Sequence, residues 1–185
     1  IQQRLDEVAG VLVEHLALDG AANRLQQIQV TADFILGDFD SIELSDMFNC
    51  PLLHAPDQNY TDLEKAVQYC DAQQASDIAI VCATGGRLDH HQATIHLLLS
   101  QYRKNRPLRL YTTSQVLFYV CDDTIVIQAS AGEKCGIFPE HASSFTTRGL
   151  VYDVVNATQP SIGNSFREAL AEITVQGSAL LIMPR

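Results

Sequence analysis

The sequence predicts an α/β protein: a parallel sheet flanked by helices over residues 1–119, then a small all-β sandwich over residues 120–185. Three observations predict it. Up to about residue 111, short apolar runs alternate with helix-spaced stretches, the pattern of a parallel, Rossmann-like sheet. Beyond residue 120 only short β-type runs remain, separated by turn residues. The chain has 185 residues, 46% hydrophobic and 18% charged, enough to bury a substantial core and too apolar for a disordered tail.

The elements run in order along the chain. Residues 8–18 are largely apolar and run into Asp19-Gly20, which by itself reads as a turn. Residues 32–36 form a short apolar run ending at Gly37-Asp38, and residues 51–53 form another candidate strand. From Thr61 the period changes, with Leu63, Ala66, Val67 and Cys70 on one helical face and Glu64 completing a capping box with Thr61. Residues 77–83 read as a buried strand. A helix comes after Gly85-Gly86, with Leu88, Ile95, Leu98, Leu99 and Tyr102 as its buried side, and residues 108–111 return to strand. The β half is built from residues 124–127, 135–138, 150–152, 173–175 and 179–183, with turns at Ala131-Gly132, Gly149 and Gln176-Gly177. No repeat or low-complexity linker separates the halves, so they are expected to pack closely.

Charge and composition narrow the function. Twelve Lys and Arg against 22 Asp and Glu give a net charge of −10, a poor match for a nucleic-acid backbone. A small phosphorylated ligand stays open to such a body, because a cation can bridge carboxylates to phosphates. No stretch has the length of a membrane span and residues 1–30 lack a secretory pattern, so no membrane role is expected and the cytoplasm is the expected location. The start at Ile1, without Met, is read as a fragment or incomplete record. The five cysteines (Cys50, Cys70, Cys82, Cys121, Cys135) are scattered, as expected of reduced thiols rather than disulfides or a zinc site.

Four acidic motifs fall where strands end: Asp19 with Asn23, Asp38-Phe39-Asp40-Ser41, Asp57 to Asp62, and Gly85-Gly86-Arg87-Leu88-Asp89-His90. In an open parallel sheet, ligands bind at the carboxyl ends of the strands. If the chain stays extended, Asp38 and Asp40 point to one side, a spacing that suits Mg²⁺; taken alone, Asp-x-Asp reads first as a polar turn. Asp62 likewise suits the first turn of a helix on dipole grounds alone. Gly85-Gly86-Arg87 is more specific: it lies between a strand and a helix, where backbone N–H groups and the Arg fork suit phosphate. His90 and His91, adjacent on a helix, do not converge on one ion, and His15, His54, His96 and His141 stand alone.

Taken together, LDGAANRL, GDFDS, DQNYTDLEKA, ATGGRLDHH, SIGNSF and ITVQG resemble the thiamin pyrophosphokinase family, in that family's order and over nearly the whole chain. The resemblance implies an α/β catalytic domain that holds ATP, a β-sandwich that contributes to thiamin binding, and a homodimer sharing its sites. It implies transfer of a pyrophosphoryl group from ATP to the hydroxyl of thiamin, releasing AMP. By position, Asp38, Asp40 and Asp62 match the metal-associated acids, expected to hold Mg²⁺. Asp19 and Asp89 match the remaining active-site acids and Arg87 the Arg of the GGR segment. Asn23, Gln58, Thr61, Gly85 and Gly86 match the ATP side, and Ser161 and Asn164 the thiamin side. Asp19 is followed by Gly-Ala where Gly-Gly is usual. The strand that the family has before the first motif is missing or shortened here. The chain has no Trp, so Phe166 is the candidate for any ring stacking on thiamin.

Such a transfer leaves the protein to position the reactants and neutralise charge. Asp89 or Asp19 would serve as base for the thiamin hydroxyl. Two other readings remain at this point. A DHH-type phosphoesterase shares Asp38-Phe39-Asp40 and Asp89-His90-His91 but would need a later Gly/His-rich motif. A non-catalytic nucleotide- or thiamin-binding module would bind without turnover.

Overall fold

Parallel pairing needs long crossovers, and the first helix supplies one. In the computed structural model, which describes residues 14–40 and 49–185, strand β1 (Leu16–Leu18) leads directly into helix α1 (Asp19–Gln27). The chain then returns as β2 (Phe34–Gly37), parallel to β1 with Leu18 opposite Leu36. Strand β3 (Leu52–His54) pairs parallel on the other side of β2. Asp19-Gly20 is therefore the first turn of a helix, not a loop. Residues 8–13 of the first apolar run, and Ser41, lie outside the described residues. Ala17, Ala22, Ala32 and Ile35 form a buried cluster where α1 meets the sheet, with the three alanines letting the helix approach closely.

Helix α2 (Asp62–Ala72) starts at the capping box expected from the sequence. The Thr61 hydroxyl accepts from the Glu64 N–H at 3.3 Å and the Glu64 carboxylate accepts from the Thr61 N–H at 2.8 Å. Its face packs as its spacing predicts, with Ala66 and Val67 buried and Phe34 against Tyr69. These elements belong to one of two compact units, Ile1–Gln74 and Ala75–Arg185.

In the second unit, β4 (Ile78–Val81) and β5 (Leu108–Tyr111) are parallel and joined through α3 (Leu88–Ser100). Helix α3 buries Thr94, Leu97 and Leu98. Leu88, expected among its buried residues, is 79% exposed, because it heads the first turn before the packed face begins. A tight turn, with the Thr112 N–H bonded to the Gln115 carbonyl at 2.8 Å, folds β6 (Gln115–Gln128) antiparallel onto β5. The later strands are β7 (Lys134–Pro139), β8 (Ser144–Arg148), β9 (Ser161–Ser165) and β10 (Leu170–Pro184). All seven join in one mixed sheet, ordered β4-β5-β6-β10-β7-β9 with β8 also on β10. The fold is thus α/β, with a small parallel sheet and a larger mixed one.

Some strand readings are corrected. Residues 173–175 and 179–183 form one strand, because Gly177 at φ +80° makes a bulge between Val175 and Ser178 instead of a turn. Residues 150–152 are not a strand: only Leu150 makes a bridge, to Phe166, and Asp153 accepts from the Leu150 N–H at 3.0 Å to curl the segment. The core of this unit gathers Ile137, Phe145, Leu150, Phe166, Ile173 and Leu181.

Candidate active site

Parallel strands deliver their carboxyl ends to one edge of a sheet, so the residues just after β1 and β2 meet there. Asp19 comes after β1, and Asp38 and Asp40 come after β2. Carboxylate oxygens of the three lie within 4.8 Å of one another. The carboxylates do not converge through an extended chain, as the Asp-x-Asp spacing suggests. Phe39 between them has φ +67° and turns the backbone, so that the Asp40 N–H reaches the Asp38 carboxylate at 3.4 Å. A left-handed bulky residue is strained; here the Phe39 ring stacks on His54, with centroids 5.6 Å apart, and holds the turn.

Two neighbours order the acids. Gly37 has no side chain where Asp19 sits: a methyl group there would stand 2.6 Å from the Asp19 Cβ. Gln58 donates its amide to Asp38 at 2.8 Å. That hydrogen bond, helped by the Asp40 N–H, holds the Asp38 carboxyl below the usual aspartate range. Asp19 is 3% exposed and Asp38 half-buried, so a ligand would meet acids already set in place.

The donor set suits a hard divalent cation, since three carboxylates this close repel one another unless positive charge lies between them. Asp62, expected with Asp38 and Asp40 as a metal ligand, is outside this close group. It heads α2, and its carboxylate accepts from Lys65 Nζ at 3.1 Å. Sequence reasoning missed Lys65, although its spacing from Asp62, three residues along a helix, is a visible signal. Thr61 spends its hydroxyl on the helix cap, and Asn23 lies half-buried on α1.

In the second unit, Gly85 takes φ +87°, a conformation glycine reaches without strain, and nothing crowds Gly86. Arg87 stands at the N-cap position of α3 and grips Asp89 with two bonds, Nε to Oδ1 at 3.1 Å and Nη2 to Oδ2 at 2.5 Å. The guanidinium beside it holds the Asp89 carboxyl below its ordinary value. Both side chains are exposed, so the pair is weakly held and an incoming phosphate can compete for the Arg fork.

Ser161 and Asn164 belong to β9. Asn164 is buried, and its side chain is occupied by protein partners: it accepts from the Tyr152 N–H at 3.2 Å and donates to the Tyr152 carbonyl at 2.8 Å. It also donates to the Ser161 hydroxyl at 3.1 Å and accepts from the Ser165 N–H at 2.9 Å. Asn164 therefore clamps the segment that exposes the Tyr152 ring, which is 71% accessible. Phe166 is no stacking surface; it is 1% exposed within the core. Tyr152 is the exposed aromatic here, and the sequence offers no sign of it, because residues 150–152 have the pattern of a strand.

Comparison with known proteins bears on this site. Residues 13–110 match the family described as thiamin pyrophosphokinase, catalytic domain. The chain is 28% identical over 171 residues to thiamin pyrophosphokinase 1 of Caenorhabditis elegans, covering 84% of this chain and 70% of that one. Its fold is similar to that of thiamin pyrophosphokinase from Geobacillus thermodenitrificans, with a TM-score of 0.82 at 24% identity over 95% of this chain and 88% of that one. The Candida albicans enzyme is similar at a TM-score of 0.78 and 17% identity, over 91% and 81% of the two chains.

Proposed function

The chain belongs to the thiamin pyrophosphokinase family, and from that premise we propose how its residues divide the transfer of a pyrophosphoryl group from ATP to thiamin. The chain is a thiamin diphosphokinase; its products are thiamin diphosphate and AMP. The phosphoesterase alternative is not favoured, since the matched family is a transferase.

The observation that carries the assignment of roles is the meeting of Asp19, Asp38 and Asp40 carboxylates within 4.8 Å. Family chemistry calls for a divalent metal, and these hard oxygen donors suit Mg²⁺. Asp38, Asp40 and Asp62 are assigned to hold it, with Asp19 added on geometry. Bound Mg²⁺ would offset the charge of the phosphate oxygens. Gln58 fixes Asp38, and Thr61 fixes the start of α2, so these two keep the floor of the ATP site in order. Gly85 and Gly86 give the phosphates room, Asn23 adds a polar group, and Arg87 exchanges its Asp89 partner for phosphate. Asp89, which binds both nitrogens of the Arg87 fork before the nucleotide arrives, is assigned to holding that fork in place for it.

Thiamin is assigned to the C-terminal strands. Ser161 offers a hydroxyl, and Asn164 acts by presenting Tyr152. This gives residues 1–119 the role of a Rossmann-like ATP-binding part and residues 120–185 that of a thiamin-binding sandwich. A cytoplasmic homodimer with shared sites completes the reading. What supports the dimer is the family's layout alone. Mixing an Asp40→Asn chain with a Ser161→Ala/Asn164→Ala chain should restore activity in hybrids if pockets are shared.

The role assignment is tested with Asp40→Asn. The folded variant should lose thiamin-dependent AMP formation, and chelated wild-type protein should lose it and regain it with Mg²⁺. Near-normal turnover by the folded variant would remove Asp40 from the site.

A further inference from the structure

Among the described residues of the first unit, the Lys and Arg side chains are Arg24, which is exposed, and Lys65, which is 8% exposed. Withdrawing an ammonium from water is costly unless partners replace its hydration. Lys65 Nζ donates to the Ala55 carbonyl at 2.8 Å and to Asp62 Oδ1 at 3.1 Å. An ion pair three residues apart on a helix forms as readily with both side chains in water, so the pair by itself does not account for the burial. The Ala55 carbonyl does. Ala55 comes directly after β3, and its own N–H donates at 2.8 Å to the carbonyl of Gly37, the residue before Asp38. A continuous run of hydrogen bonds therefore joins Asp62, through Lys65 and Ala55, to the backbone that carries Asp38.

We propose that Lys65 is a positioning residue: its buried ammonium ties Asp62 to the Asp38 backbone and so fixes the Asp62 carboxylate relative to the Asp19, Asp38 and Asp40 group that would take a divalent cation. The proposal rests on the assignment of Asp62 to the metal. Lys65 engages Oδ1 of Asp62, and Oδ2 is the oxygen assigned to the cation. A carboxylate already held in place does not have to surrender side-chain freedom when the cation binds. Simple electrostatics has the opposite sign: deleting a positive charge beside an acidic site should tighten cation binding.

The test is Mn²⁺ alone, titrated into the whole chain without nucleotide, with free Mn²⁺ read by electron paramagnetic resonance. Lys65→Met keeps the length and removes the charge and both bonds. It should bind Mn²⁺ about tenfold more weakly than the wild type, the loss expected for one charge-assisted hydrogen bond. Asp62→Asn should also bind weakly, and adding Lys65→Met to it should change little more. Unchanged or tighter binding by Lys65→Met overturns the proposal, as does an undiminished further loss in the Asp62→Asn background. If Lys65→Met does not fold, Lys65→Gln is read in the same way, and failure of both to fold makes Lys65 a folding residue and overturns the proposal. Asp62→Asn alone separates the two readings. If it binds Mn²⁺ normally, the assignment of Asp62 falls and the proposal with it. If it binds weakly while Lys65→Met binds normally, only Lys65 is wrong.

Discussion

Asp19 occupies the space that a side chain at position 37 would need: a methyl group on Gly37 would stand 2.6 Å from the Asp19 Cβ. The contact crosses from the start of α1 to the end of β2, the two elements whose ends bring the acids together. Gly37→Ala should therefore push Asp19 aside while both strands still form. Turnover should fall by roughly a hundredfold, the scale of a misplacement near 1 Å, at a stability cost of about 1–3 kcal/mol. Steady-state kinetics on protein shown to be folded by circular dichroism checks this; full activity would mean that Asp19 can shift without consequence.

Gln58 is the main reason that Asp38 is more acidic than an ordinary aspartate. A carboxyl made more acidic by folding stabilises the protein above its unfolded-state pKa, and that contribution fades as pH falls through the lower folded value. Gln58→Ala should raise the Asp38 pKa towards the ordinary value, moving the fade to higher pH. Carboxyl titration by nuclear magnetic resonance on metal-free protein measures the shift. An unmoved Asp38 would show that its other neighbours, the Asp40 N–H among them, sustain it without Gln58.

Arg87 holds Asp89 through two nitrogens, a geometry that a lysine cannot copy. Arg87→Lys keeps the charge yet should raise the KM for ATP about tenfold, leaving the KM for thiamin near its original value. Equal changes for both substrates would detach Arg87 from the nucleotide.

Asn164→Ala strips the Tyr152 N–H and carbonyl and the Ser165 N–H of a buried partner. Unsatisfied groups of this kind cost about 1–3 kcal/mol each, so the melting temperature should drop by several degrees. Asn164→Ala should also raise the KM for thiamin; on the proposal that Asn164 acts through Tyr152, Tyr152→Ala should reproduce that rise without the loss of stability. If Tyr152→Ala binds thiamin normally, Asn164 has no role there beyond the fold.

The α2 helix is legible in the sequence because its signals are local: a capping box and four residues at helical spacing. The four acidic motifs are legible as types, since each comes after an apolar run. What brings Asp19, Asp38 and Asp40 together is not. The turn at Phe39 depends on a ring contact with His54, far along the chain, and the close approach at Gly37 depends on a helix docked from the neighbouring strand. The merging of β4 and β5 with the later strands into one sheet likewise depends on hydrogen bonds from β5 to β6 that no periodicity encodes. Asn164 looks like a ligand group by type and position, and only its buried partners reveal a clamp. Lys65 is visible as an i,i+3 partner of Asp62, but its burial is not.

The central claim, that this chain moves two phosphorus atoms at once from ATP to thiamin, is tested most directly by following radiolabel. ATP labelled at the α-phosphorus and ATP labelled at the γ-phosphorus are each incubated with the protein, Mg²⁺ and thiamin. The account predicts that the α label ends in AMP and the γ label in thiamin diphosphate, and that neither moves without thiamin. Finding the α label in ADP and the γ label in thiamin monophosphate, or the γ label in free phosphate whether or not thiamin is present, would contradict it.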